Sequence, residues 1–339
     1  MSDNIKWGEV IAGAPKNLTI AEALSKCWYV LKRHDKILVS VSGGSDSDVM
    51  ADLIIRCGGK EKAVFAFYNT GLEYEATKKQ IKMLEEKYGI EIEVVPPVKP
   101  IPKCVKEHGV PFWSKRVSDY IERLQRHGFQ WEDEPFEVLI VKYPKCKAAL
   151  KWWCNEFGRN GEASRFDIAY TAGLKEFMIA NPPDFPISSK CCHYAKKLPA
   201  SKFAAASGCD VYSTGVRKAE GGARSSVYKS CYTEALGDGS SYRPLFWFTD
   251  KDKLEYDEHY GIVHSDCYKV WGMKRTGCAG CPFGKKFEEE LALAEKYEPK
   301  FHKAMVSVFG KSYDYTRKFM EFRKELKRIE QEVNNEQAT

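Results

Sequence analysis

The stretch that most restricts the fold is ILVSVSGGSDSDVM, Ile37 to Met50. Ile37 to Val41 is an apolar, β-branched run with the composition of a buried strand. Val49, Met50, Leu53 and Ile54 then recur at helical spacing until Gly58 and Gly59 stop the pattern. Between strand and helix lie glycines, serines and aspartates, a mixture that makes sense where an anion sits. Gly43 and Gly44 let the backbone turn tightly and approach a ligand, and the N–H groups at the helix start supply positive potential. Ser40, Ser42, Ser45 and Ser47 add hydroxyl donors. The plainer reading is a Gly-Ser turn capping a helix, with Asp46 in its first turn. The commoner phosphate loop, a Gly followed after four intervening residues by Gly-Lys-Ser/Thr, occurs nowhere in the chain.

The chain continues in the same alternation. Ala63 to Tyr68 reads as a second strand, Glu75 to Tyr88 as a helix with Ile81 and Leu84 on one face, and Ile90 to Val95 as a third strand. This order predicts an α/β fold with a doubly wound, mainly parallel sheet. Pro96, Pro97, Pro100 and Pro102 end the pattern, and residues 103–165 read as a helical, aromatic and basic insertion containing Trp113, Trp131, Trp152 and Trp153. Asp210 to Thr214 resumes the strand pattern just before Gly215. The expected organisation is one domain over residues 1–285, interrupted by the insertion, and a charged helical C-terminal extension over 286–339.

With 339 residues and 43% hydrophobic content the chain can bury a sizeable core. The N-terminus lacks the basic-then-apolar order of a signal peptide, and no apolar run has the length of a membrane helix. The expectation is therefore a soluble cytoplasmic protein with no membrane partner. A reducing compartment disfavours a disulfide framework for its twelve cysteines, leaving metal binding, catalysis or core packing. A formal net charge of +6 permits an anionic partner without demanding one. The segments PFWSKRVSDYIERLQRHGFQW and YPKCKAALKWWCN could track phosphates and stack bases, so a nucleic acid acceptor is one reading. Phe112, Trp113, Val117, Tyr120, Ile121 and Leu124 recur at helical spacing, which favours a core role for most of the rings.

KRTGCAGCPFG spaces Cys278 and Cys281 as C-x-x-C, with Gly277 and Gly280 suited to a tight turn around one metal centre. Cys191 and Cys192 are adjacent and so poorly placed to chelate one zinc ion together, whereas a cube-shaped iron–sulfur cluster presents several corners. A structural zinc remains the alternative.

Ser42-Gly43-Gly44-Ser45-Asp46-Ser47 resembles the pyrophosphate loop of the adenine-nucleotide alpha-hydrolase superfamily, the PP-loop ATP pyrophosphatases. FYNTGLEYEAT resembles the branch containing phosphoadenylyl-sulfate (PAPS) reductases, where an Asp-Thr-Gly corresponds to Asn69, Thr70 and Gly71. Asn69 departs from that pattern, and an Asn-Gly-type turn explains it equally well. A Cys-Cys pair, about 80 residues, then C-x-x-C is similar to the arrangement that holds a 4Fe-4S cluster in assimilatory adenylyl-sulfate reductases. Here residues 193–277, 85 positions, separate Cys192 from Cys278. YSTGVRKAEGGAR resembles those reductases' Gly-Leu-Arg segment, placing Arg217 and Arg224 like its anion-binding arginines after Gly215. The resemblance implies a cluster held by Cys192, Cys278, Cys281 and either Cys191 or Cys231.

Two reactions are compatible with this resemblance. One is sulfonucleotide reduction, in which a thiol attacks the sulfur of adenylyl sulfate or its 3′-phosphorylated form. The other is ATP-dependent activation with pyrophosphate release followed by sulfur transfer, in which Asp46 orients the loop or helps to hold Mg²⁺ and a cysteine desulfurase is a natural sulfur donor. The reductases resembled carry their nucleophilic cysteine in a C-terminal tail, and no cysteine follows Cys281 here. Their pyrophosphate loop is usually degraded, whereas Ser42 to Ser47 is intact, so the expectation is ATP chemistry. A third reading is a non-catalytic nucleotide- and cluster-binding accessory subunit of a phage or defence system.

Overall fold

The computed structural model describes residues 7–158, 162, 164–221, 227–234, 239–283 and 287–337. The chain divides into two compact units, residues 1–100 with 194–279, and residues 101–193 with 280–339.

Among the described residues, the first unit is built on a six-stranded sheet. Its strands are β1 (Ile37–Val41), β2 (Ala63–Tyr68), β3 (Ile92–Val95), β4 (Val211–Ser213), β5 (Tyr232–Thr233) and β6 (Ser240–Tyr242). Their order is β3-β2-β1-β4-β6-β5, and every pairing is parallel except β5 with β6. The doubly wound, mainly parallel sheet expected from the alternation is thus present. The strand order reverses between β1 and β4, a topological switch point where the loops leaving the carboxyl ends diverge and open a crevice.

Helices α1 (Trp7–Ala12), α2 (Leu18–Arg33), α3 (Ser45–Ile54) and α4 (Glu75–Tyr88) belong to this unit. Asn17 caps α2 by accepting from Ile20 N–H, and its amide reaches Asp252 and Glu255 of the helix Asp250–Tyr260. The pattern of α3 ends as the glycines require: Gly58 takes a φ of 83° within a turn of π-helix, Ile55–Gly59. β3 begins at Ile92 rather than Ile90, because Gly89 ends α4 in the left-handed conformation and Ile90 N–H is bound to Glu85 O. The core packs Val39, Val41, Met50, Leu53 and Phe65 with Ile20, Leu24 and Tyr242.

Asp52, on the buried face of α3, receives both Arg56 Nε and Nη2 and the hydroxyls of Tyr88 and Tyr256. Four charge-assisted bonds compensate the desolvation of a carboxylate 2% exposed, and they fix the far end of the helix whose near end carries the glycine-serine loop.

The second unit is helical among the described residues. Its helices include Ile101–His108, Lys115–Arg126, Lys147–Trp153, Leu174–Ala180 and the 39-residue Pro299–Gln337. Phe112, Trp131, Trp152, Trp153, Phe177 and Phe319 share one buried cluster, so most of the insertion's aromatics are core, as their helical spacing suggested. Those buried rings are not presented for base stacking. No helix among the described residues is long and apolar enough to cross a membrane.

Candidate functional site

After β1 the backbone turns at Gly43, whose φ of 65° is left-handed. A Cβ there would lie 2.8 Å from Thr77 Cγ2, so both conformation and space require glycine. Gly44 caps α3, and its carbonyl accepts from Ser47 N–H at 2.9 Å and Asp48 N–H at 3.1 Å. Ser47 Oγ donates to Gly44 O at 2.7 Å and accepts from Ser42 N–H at 3.1 Å. The hydroxyl read from the sequence as an anion donor is therefore engaged in the loop itself, where it fixes the shape of the turn.

The chain leaving β4 passes very near the first turn of α3. A Cβ on Gly215 would stand 2.9 Å from Asp46 O and 3.2 Å from Ser47 N, so no other residue permits this approach without displacing one of the two loops. Together they line a cleft of about 530 Å³, with Ser40, Ser42, Gly44, Ser45, Asp46 and Ser47 on one side and Thr214, Gly215, Val216 and Arg217 on the other. Lys196, Lys274 and Arg275 add positive charge to its wall. The cleft thus joins a helix N-terminus to several cations at the sheet's switch point, a combination suited to a phosphorylated nucleotide.

Tyr268 and Thr276 also line the cleft, although no motif in the sequence marks them. Tyr268 OH accepts from Thr276 N–H at 3.1 Å and lies 2.8 Å from Thr276 Oγ1. Ser42 Oγ, Tyr268 OH and Thr276 Oγ1 all stand within 3.3 Å of the point where a Cβ on Gly44 would project. Three hydroxyls thus converge on the glycine that opens the helix. Burial raises the Tyr268 phenol above its ordinary value, so at neutral pH it stays protonated.

The resemblance implies an anion-binding role for Arg217. It is 8% exposed, with Nε donating to Asp46 Oδ1 at 2.9 Å and Nη1 to Asp250 Oδ1 at 2.8 Å. In this arrangement it positions Asp46. Burial pushes the Asp46 carboxyl up to about 6; Arg217 opposes that rise, and a hydrogen bond to Glu220 adds to it. Arg224, the other arginine expected here, lies outside the described residues.

Behind the loop, Asp48 is fully buried. Its Oδ2 meets His264 Nδ1 at 2.9 Å and Gln80 Nε2 at 2.9 Å, and His264 Nε2 stands 3.0 Å from Asp257 Oδ2. Burial disfavours the charged imidazole, but the hydrogen bonds to Asp257 and Asp48 outweigh it and raise His264 to about 9. An imidazolium between two carboxylates therefore ties the first turn of α3 to the helix Asp250–Tyr260.

Asn69, Thr70 and Gly71 follow β2 and make a turn of their own. Asn69 Oδ1 accepts from Gly71 N–H at 2.8 Å, and Thr70 Oγ1 donates to Glu73 Oε1 at 2.6 Å. This is the side-chain-capped turn that an Asn-Thr-Gly sequence forms by itself.

The candidate metal ligands divide between the units: Cys231 and Cys278 belong to the first, Cys191, Cys192 and Cys281 to the second. The C-x-x-C turn has the expected left-handed glycine, Gly280 with a φ of 65°, and Ala279 N–H donates to Leu72 O at 3.2 Å. Among the described residues, no three His, Cys, Asp or Glu side chains form a group that could hold a metal ion. The support for a cluster is therefore the spacing of these cysteines in the sequence.

Residues 36–128 match the family described as the phosphoadenosine phosphosulfate reductase domain, a segment that contains β1 to β3, α3 and the glycine-serine loop. Over 106 residues, 31% of its length, this chain is 40% identical to an uncharacterized protein of Methanocaldococcus jannaschii, of whose length the match spans 19%. Among solved structures, a PAPS reductase from Candida auris in complex with phosphate is similar at 12% identity and a TM-score of 0.43, covering 82% of this chain and 98% of that one. The U34-tRNA thiolase NcsA from Methanococcus maripaludis, with its [4Fe-4S] cluster, is similar at 16% identity and a TM-score of 0.38, covering 90% and 81%. An NH3-dependent NAD synthetase from Campylobacter jejuni is similar at 10% and 0.35, covering 91% and 96%.

The His264 bridge generates a pH dependence. Its folded-state value of about 9 exceeds the ordinary 6.5, so its stabilising contribution is complete below pH 6.5 and is lost as pH rises through 9. The full contribution corresponds to about 3 kcal/mol. Urea unfolding should show wild type losing stability between pH 6.5 and 9.5 relative to His264→Gln; parallel profiles for the two proteins would contradict the ion bridge.

Proposed function

We propose that the chain binds ATP in the cleft between the Ser42–Ser47 loop and the loop after β4, and uses it to activate an acceptor for sulfur transfer. The reading rests on one observation, the cleft at the switch point, where the N-terminus of α3 and the cations Lys196, Lys274 and Arg275 face the same space. An acceptor oxygen attacks the α-phosphorus, the bond to the bridging oxygen breaks, and pyrophosphate leaves. A sulfur nucleophile then displaces AMP from the adenylylated acceptor. In this scheme Gly44 and Ser45 give backbone access to the departing phosphates, Ser47 keeps the turn closed, and Lys274 and Arg275 offset the developing charge.

The donor set fits Mg²⁺, because Asp46 and its hydrogen-bonded neighbour Glu220 are carboxylates on a cleft that would also bring phosphate oxygens. Bound there, the ion would neutralise phosphate charge. Cys192, Cys278 and Cys281, with Cys191 or Cys231, are the proposed cluster ligands, on sequence spacing alone, and no step above depends on them. A cysteine desulfurase as sulfur donor, a nucleic acid as acceptor and a cytoplasmic location belong to the same proposal.

The match of residues 36–128 favours a second reading, sulfonucleotide reduction by an external thiol. Calorimetry with ATP and Mg²⁺ beside adenylyl sulfate separates the two. Wild type should prefer ATP, and the preference should strengthen between pH 5 and 7.5 as Asp46 ionises, a change that Asp46→Asn should abolish. Tighter binding of adenylyl sulfate would establish the reductase reading, and binding of neither ligand would reduce the loop to a helix cap.

Metal analysis tests the cluster separately. Protein purified without oxygen should carry about four irons per chain, the content of one cubane. Cys278→Ser and Cys281→Ser should lose that iron, and comparison of Cys191→Ser with Cys231→Ser should identify the fourth ligand. Stoichiometric zinc without sulfide would contradict it.

A further inference from the structure

The second unit contains a cavity of about 500 Å³ that the nucleotide reading does not use. Its walls include Trp113, Tyr170, Phe283 and Met320, with Thr316 and Arg323 among its polar members. We propose that this cavity is a binding site for a small flat aromatic anion, a carboxylate or sulfonate.

Three independent features point to a ligand. Thr316 is 3% exposed, and its Oγ1 is buried without a hydrogen-bond partner among the described residues. A hydroxyl removed from water and left unpaired is costly in a folded core unless something completes it. Arg323 Nε is likewise buried and unpaired, and the guanidinium lies 5.6 Å from the ring centres of Trp113 and Phe319. Those rings orient the cation by its face and leave its edge donors for an acceptor.

The third feature is strain at Trp113. Ser114 N–H donates to Phe112 O at 2.7 Å, closing a three-residue turn around Trp113, whose φ is 58°. A γ-turn with positive φ at a bulky residue is the rare, strained form. Such a conformation persists where the surroundings hold it, and it tends to gather at ligand sites.

The chemistry of the walls selects the ligand class. Aromatic side chains around a space of this size suit a flat apolar body, and a half-buried guanidinium with no carboxylate partner among the described residues suits an anionic group on that body. Inorganic phosphate would satisfy the arginine but leave the rings in contact with its hydration shell. This proposal stands apart from the nucleotide reading, since its residues all belong to the other unit.

Titration of the full chain with 8-anilinonaphthalene-1-sulfonate, followed by calorimetry, tests it. We expect one saturable site per chain, weakened at least tenfold in Arg323→Met and less in Arg323→Lys, which keeps the charge. Thr316→Val should weaken binding several-fold and leave the melting temperature equal or higher, because it removes an unpaired buried hydroxyl. Lys274→Ala, in the nucleotide cleft, should bind the probe like wild type. If Arg323→Met does not fold, Thr316→Val decides. Unchanged binding in the cavity variants, absence of a saturable site, or loss of binding in Lys274→Ala would each overturn the proposal.

Discussion

The close pass of Gly215 against the first turn of α3 governs the arrangement of the candidate site. β1 and β4 are neighbouring parallel strands, and their outgoing loops would normally diverge at the switch point. With no side chain at 215, they approach until a hypothetical Cβ would stand 2.9 Å from Asp46 O. That proximity brings Arg217 to Asp46 and makes the two loops the walls of one cleft. The glycines at 43 and 215 serve the same end by different means: the first meets a left-handed turn against Thr77, the second a backbone crossing.

Charges in the first turn of α3 have separate tasks set by their surroundings. Asp46 faces the cleft, and burial holds it near half ionisation at about pH 6, where a small change in neighbouring charge alters its state. Asp48, two residues on, faces inward and is held by an imidazolium and an amide. Further along the helix, Asp52 gathers an arginine and two tyrosines. A single short helix is thus secured by buried polar bonds along its length, which suits a helix whose N-terminus must hold its donors in fixed positions.

Much of this unit was legible in the sequence. β1, β2 and α4 have the bounds their apolar patterns indicated, because buried parallel strands read as continuous apolar runs and an amphipathic helix repeats its buried face. The two-residue β5 and three-residue β6 were not anticipated, since pieces that short carry no periodicity. The glycine-serine loop was legible as a class, but the partner of each hydroxyl was not. Ser47 has the residue type of a phosphate donor, but its hydroxyl is bonded to Gly44 O, a pairing set by the folded turn. Arg217 was found by its segment, although its two carboxylate partners, at 46 and 250, are distant in the chain. Tyr268, Thr276 and Lys274 escaped notice for the same reason: they reach the cleft by tertiary folding, and the only local signal was the basic KRTG immediately before Cys278.

The most direct test of the central claim is calorimetric binding of inorganic pyrophosphate to wild type, Gly44→Ala and Gly215→Ala. A shared cleft requires that either methyl group weaken binding, one by filling the space where three hydroxyls converge and the other by forcing the loops apart. Loss of even one charge-assisted hydrogen bond, roughly 1.5 to 3 kcal/mol, corresponds to about a ten- to hundredfold loss of affinity. The expected result is a loss of that size in both variants with the fold retained. Wild-type affinity in Gly215→Ala would show that the two loops do not act as one site.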